Sequence, residues 1–161
     1  MDVVQDSGVD EMVERLEALY RSDGPKMWRS VFAFTGDREA TEDSVGEAFA
    51  QALARGEEIR DLAAWVWRVA FLVAGREMKR RGSLTQIEDL GTYEMAEPTA
   101  HVIAALKALS PNQRLAVVMH DYADRPTDEI AALVGASRAT VHVHLSKGRR
   151  RLRTILEADD G

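Results

Sequence analysis

Between Ser137 and Arg153 the chain reads SRATVHVHLSKGRRRLR, with six bases (Arg138, Lys147, Arg149, Arg150, Arg151, Arg153) and no acid. The whole chain carries a net charge of −6, so everything outside this stretch carries −12. Bases gathered on one segment are the footprint of a phosphate-binding surface, because side chains that neutralise phosphates release condensed counterions. Val141, Leu145, Gly148, Leu152 and Ile155 recur at helical spacing. That leaves Arg138, Ala139, His142, Ser146 and Arg149 on the opposite face. A merely solvated helix end would need the bases but not the ordered sequence before them. Thr127 to Val134 gives a short helix with Ile130, Ala131 and Val134 inward, Gly135 supplies a tight turn, and Ser137 caps a second helix. Helix, glycine turn and basic helix make a helix-turn-helix, which lays its second helix in the major groove of DNA.

Other chemistry is thin. His101, His120, His142 and His144 are scattered, and no carboxylate stands at metal-site spacing with two of them. His142 and His144 are two residues apart and diverge on a helix. There is no cysteine, Gly-rich phosphate loop or nucleophile elbow. The expectation is a protein that is not an enzyme and takes neither metal nor cofactor.

Helices must position this unit. Length (161 residues), 45% hydrophobic and 30% charged residues, and helical spacing without alternating strand patterns point to an all-α fold. Val9, Met12, Val13, Leu16 and Leu19 begin a first helix after a frayed start, and Gly24-Pro25 is expected to break it. A second helix covers about Pro25 to Phe34. A third runs from about Arg38 to Ala54, with Ala40, Val45, Ala48, Phe49 and Leu53 inward. A fourth, about Leu62 to Arg81, turns basic at Arg76, Lys79, Arg80 and Arg81. Residues 83–98 hold four acids and no base and read as a linker. Beyond it a helix runs from near Thr99 to Leu109. Ser110, Pro111 and Gln113 form a capping-box start for a helix to about Tyr122. Thr127 caps the next one, with Asp128 and Glu129 in its first turn. Two small helical domains result, 9–82 and 99–157, joined by 83–98. The acidic N-terminus lacks the order of a signal peptide, and the longest apolar run, Leu62 to Gly75, contains Arg68. A cytoplasmic protein with no membrane partner is expected. An acidic chain that binds DNA does so locally or beside a partner that supplies positive charge.

The stretch ALSPNQRLAVVMHDYADRPTDEIAALVGASRATVHVHLSKGRRRLR resembles region 4 of bacterial sigma-70 family sigma factors, most of all the extracytoplasmic-function (ECF) group. Gln113-Arg114, Glu129-Ile130-Ala131, Ser137 and Thr140-Val141 stand at that family's motif positions. LYRSDGPKMWRSVFAFTGDREATEDSVGEAFAQAL and AWVWRVA (Ala64 to Ala70) are similar to region 2. The resemblance implies a sigma factor that binds core RNA polymerase and directs promoter-specific initiation. The implied −35 contacts are Arg138, Ala139, Thr140, His142, His144, Ser146, Lys147, Arg149 and Arg150. The implied −10 contacts are Trp65, Arg68, Arg76, Lys79 and Arg80. Glu42, Asp43 and Glu47 would meet the clamp helices of the largest polymerase subunit, region 4 would sit on the β flap, and an anti-sigma partner is usual for the family.

Two departures keep other readings open. The family's Arg-Asn pair after AWVWRVA is replaced by Phe71-Leu72, and the acid some residues on by Arg76. His142, Val143 and His144 stand where Lys, Ser and Arg are usual. A stand-alone helix-turn-helix regulator and a sigma-like polymerase adaptor without promoter opening are the alternatives. Trp65 and Trp67 invite base stacking. Being two apart they do not share a helix face, so at least one belongs in the core.

Overall fold

The computed structural model describes residues 2–82 and 97–160, with side chains except those of residues 2–6, 57 and 97–99. Among the described residues it is helical throughout, with seven α-helices: α1 (Asp2–Thr35), α2 (Arg38–Arg55), α3 (Leu62–Arg81), α4 (Glu97–Lys107), α5 (Pro111–Val117), α6 (Thr127–Val134) and α7 (Arg138–Asp159). A 3-10 turn, Gly56–Glu58, follows α2, and a π-helical turn, Val118–Tyr122, follows α5.

The first correction concerns α1. It begins at Asp2 and runs unbroken through Gly24-Pro25. Buried Met12, Leu16, Leu19, Met27, Val31 and Phe34 keep one helical phase on both sides of the proline. A proline inside a helix costs about 3 kcal/mol. Pro25 is exposed, while the apolar face of α1 packs on α2 and α3. Packing outweighs the local preference.

The other N-terminal elements form where local signals place them. Asp37 caps α2 by accepting the Ala40 N–H at 2.9 Å, and Asp61 caps α3 by accepting from Ala64 at 3.1 Å. Left-handed Gly82 ends α3. Trp67 is buried, stacks on Phe71 at 6.4 Å between centroids, and donates its indole N–H to Asp23 at 2.8 Å. Phe71 meets Phe34 edge-on at 5.8 Å.

In the C-terminal part, α4 starts at Glu97, ahead of the expected Thr99, and the rest of the linker, residues 83–96, lies outside the described residues. The capping box at Ser110 is complete. Thr127 is not the cap of α6. Pro126 holds that position in extended conformation, and its carbonyl accepts from Glu129 and Ile130.

The two parts share one core rather than standing apart. Arg114, 1% exposed, makes the deepest link. Its guanidinium donates to the carbonyls of Leu106 (2.9 Å), Lys107 (3.0 Å) and Leu109 (3.4 Å) at the end of α4, and to Phe34 (3.2 Å) at the end of α1. One cation thus meets carbonyls at two helix C-termini, where positive charge is favoured. Burial pushes its pKa down to about 10, so it stays charged at neutral pH. Lys26 pairs with Asp124 at 2.5 Å, and Arg125 lies over the Trp67 ring at 5.2 Å.

Candidate nucleic-acid interface

The helix-turn-helix is built as its residues dictate. Gly135 ends α6 at φ 66°, ψ 38°, a left-handed conformation that costs glycine little. The Ser137 hydroxyl accepts the Thr140 N–H at 3.2 Å and caps α7. Ile130, Val141 and Leu145 are buried between α6, α7 and α5. Gly148 lets α7 approach α5 closely, since a Cβ there would lie 2.8 Å from Val117 Cγ2. Leu152 and Ile155 are half-buried.

The opposite face of α7 is open. Arg138, Ala139, His142, Ser146, Lys147, Arg149 and Arg150 are exposed, and His142, Ser146, Arg149, Arg150 and Arg153 line one shallow cleft. Two members of the expected −35 set sit differently. Thr140 is exposed but its amide and hydroxyl are both turned to Ser137, and His144 is half-buried on the flank. Spacing did not single out the acids that answer this face. Arg138 forks onto Asp128 of α6 through Nε and Nη2, the latter at 2.6 Å. Arg149 forks onto Asp121 of the π turn through Nε (2.7 Å) and Nη2 (2.5 Å), with His120 Nδ1 3.2 Å from Nη2. The hydrogen bond from Arg138 holds the Asp128 carboxyl below the usual range. That from Arg149 does the same for Asp121 against the opposing effect of burial. From the sequence Asp128 reads as an ordinary first-turn acid, and nothing there ties Asp121 to Arg149.

On α3 the expected −10 residues share one exposed stripe. Trp65, Arg68, Leu72, Arg76 and Lys79 follow one another at three- and four-residue spacing, with Trp65 half-buried under the Arg55 guanidinium at 6.0 Å. Arg80 flanks them and is tied to Glu77 at 2.5 Å, which holds the Glu77 carboxyl low. Phe71 belongs to the core, whereas Leu72, 37% exposed, interrupts the stripe. Of the two paired tryptophans, Trp67 is the core residue.

On α2, Glu42, Asp43 and Glu47 are exposed. Glu42 takes Arg38 at 3.1 Å, Glu47 accepts from Gln51 at 3.0 Å, and Asp43 lies 3.9 Å from Arg81, whose guanidinium also meets Asp37 and Glu77. Phe49 and Leu53, expected inward, are not core residues: Phe49 is half-buried and Leu53 is 44% exposed. The inner face of α2 is filled by small residues (Ala40, Ser44, Ala48, Ala52), which turns the larger pair toward α1. With Leu16, Tyr20, Val45 and Gly46 they line an open apolar groove between α1 and α2. No group of three potential metal ligands occurs among the described residues, and none of their helices is long and apolar enough to cross a membrane.

The chain is similar to known proteins over most of its length. The family model described as sigma-70, region 4 matches residues 101–152. The RNA polymerase sigma-E factor of Streptomyces coelicolor is 30% identical over 158 residues, covering 92% of this chain and 89% of that protein. The ECF RNA polymerase sigma factor SigE of Mycolicibacterium smegmatis is 24% identical, and the match covers 87% of this chain but 61% of that longer protein. Among solved structures, the sigma factor RpoE in complex with the anti-sigma factor NepR from Bartonella quintana superposes with a TM-score of 0.71 at 19% identity, over 92% of this chain and 98% of that one. The described helices share that fold, and the chain belongs to the ECF group of sigma-70 family RNA polymerase sigma factors.

Proposed function

We propose that this sigma factor reads a −35 element through the exposed face of α7, engages a −10 element through the α3 stripe, and docks on core polymerase through α2. The observation that carries the reading is the basic face of α7, held outward by the Gly135 turn and the close contact at Gly148. It provides a local cationic surface on a chain of net charge −6, as expected of a reader held on DNA by a larger partner. Segments 9–82 and 99–157 act as the two functional units, and residues 83–98 join them. The apolar groove beside Glu42 widens the polymerase-facing surface of α2 to Tyr20, Phe49 and Leu53. An exposed apolar groove rimmed by charge marks a protein contact. An anti-sigma protein is a further partner of the fold, supported by the complex that contains the similar RpoE. Action in the cytoplasm follows from these partners.

Reconstitution with bacterial core polymerase tests the reading. The full chain is expected to co-elute with core and to give promoter-dependent transcripts from a genomic template library. Absence of co-elution rejects the polymerase contact. Co-elution without transcripts would identify an adaptor, with exposed Leu72 as the first residue to restore to a polar one.

A further inference from the structure

Two of the arginines that face outward from the recognition helix, Arg138 and Arg149, are forked onto carboxylates, but not in the same way. A guanidinium has five N–H donors and two usable forks: a side-on edge formed by Nε and Nη2, and an end-on edge formed by Nη1 and Nη2. Asp128 takes the side-on edge of Arg138, and no described group takes the end-on edge. Asp121 takes the side-on edge of Arg149, and the His120 ring, whose Nδ1 lies 2.9 Å from Asp121 Oδ1, stands 3.2 Å from the shared Nη2 and crowds the end-on edge there. Arg138 lies in the first turn of α7, the part of a recognition helix that reaches base edges, and Arg149 lies three turns further along. Guanine offers O6 and N7 as a pair of acceptors in the major groove, matched by one guanidinium fork.

We propose that Asp128 is a specificity-setting positioning residue: it clamps the side-on edge of Arg138 so that the end-on edge meets a guanine in the −35 element. This rests on the proposal that α7 reads DNA. Free arginine samples many rotamers, and a bidentate carboxylate fixes the plane of the guanidinium before contact. Asp128 comes from α6, across the Gly135 turn, so the geometry of the turn sets the angle of the fork. Asp128 and Arg138 are 63% and 68% exposed, so the pair adds little to fold stability, and its value lies in orientation. A carboxylate beside the DNA face also repels phosphates, which weakens binding to any sequence. Asp128 therefore lowers general affinity and raises discrimination, two effects that separate in a single variant.

The test uses the full chain bound to core polymerase, selected on a randomised duplex library, in four forms: wild type, Asp128→Asn, Arg138→Ala and the double variant. The wild type is expected to select a motif that contains a guanine, and Arg138→Ala to lose the preference at that position. Asp128→Asn is expected to bind unselected duplex as tightly as wild type or tighter, yet to lose about tenfold of the discrimination at the same guanine and nowhere else. The double variant should discriminate no worse than Arg138→Ala alone, and Asp128→Glu should recover part of the loss. An acid that merely complements the N-terminus of α6 would leave the motif intact in Asp128→Asn, which overturns the proposal while leaving α7 as the reader. Loss of preference spread evenly over the motif overturns it as well. A wild type that selects no motif overturns the −35 reading itself, and this proposal with it.

Discussion

Arg114 shows what one residue does when burial and charge are set against each other. A lone buried cation is costly, and this one is offset by four carbonyls drawn from the ends of two helices. Arg114→Ala removes the guanidinium from all four carbonyls, of which Leu106 keeps the Leu109 N–H, and is expected to cost about 3 kcal/mol, read as a lowered urea midpoint at unchanged slope. Arg114→Lys should recover only part, because an ammonium cannot span both helix ends as the planar fork does. A loss below about 0.5 kcal/mol for Arg114→Ala would show that water replaces the guanidinium there. The surface pairs behave differently. Asp121, Asp128 and Glu77 titrate below their ordinary values, chiefly through arginine hydrogen bonds. A carboxyl whose folded pKa is depressed adds stability above its unfolded value near 4. That stability, small for the exposed Asp128 pair, is complete above about pH 5 and disappears as pH falls through the lowered folded values. Urea unfolding between pH 7 and pH 2.5 should show this acid limb, and Asp121→Asn should make it shallower.

At the scale of elements, three glycine and proline positions separate local preference from packing. Pro25 sits inside α1 because the buried face continues across it. Pro25→Ala is expected to stabilise the chain, by up to about 3 kcal/mol, since it restores an N–H and removes a clash while keeping every core contact. A destabilised variant would mean that the proline relieves some strain in α1. Gly148 and Gly75 are both in helix interiors with opposite surroundings. A Cβ at Gly148 would strike Val117 Cγ2 at 2.8 Å and approach the Gln113 carbonyl at 3.3 Å, whereas nothing lies within 4 Å of one at Gly75. Gly148→Ala should therefore lift α7 off α5 and cost about 1–3 kcal/mol. Gly75→Ala should gain about 0.5–1 kcal/mol from helix propensity. Thermal unfolding of the two variants side by side checks the sign of each.

For the whole molecule, the shared core raises a question of reach. Elements centred about 25 base pairs apart are separated by about 85 Å of duplex. A compact chain of this length has a radius of gyration of about 15 Å. The arrangement joined by Arg114, Lys26–Asp124 and Arg125–Trp67 is too short to reach both elements at once, so the proposed reading of both predicts that the two parts separate on a promoter. The chain has no cysteine, so single cysteines at exposed Ala54 of α2 and Ala158 of α7 give a clean pair of dye positions. The distance between them should lengthen by tens of Å when core polymerase and promoter duplex are added. An unchanged distance would mean that only one element is contacted at a time.

What the sequence determined by itself was local. Helical spacing, the caps at Ser110 and Ser137, the Gly135 turn and the bases of α7 can be read because each depends on residues within about four positions of one another. The outward face of α7 came from the same periodicity. What only the tertiary structure decided involves partners far apart in the chain. Pro25 stays helical because α2 and α3 cover its neighbours, and Phe71 is core because Phe34 and Trp67 enclose it. Phe49 and Leu53 line a groove because small residues fill the inner face of α2. Arg114 bridges 80 positions to Phe34, and Asp128 reaches Arg138 only after the Gly135 turn folds one helix back on the other. Such contacts depend on how finished elements pack, and periodicity along one element carries no record of what lies across from it.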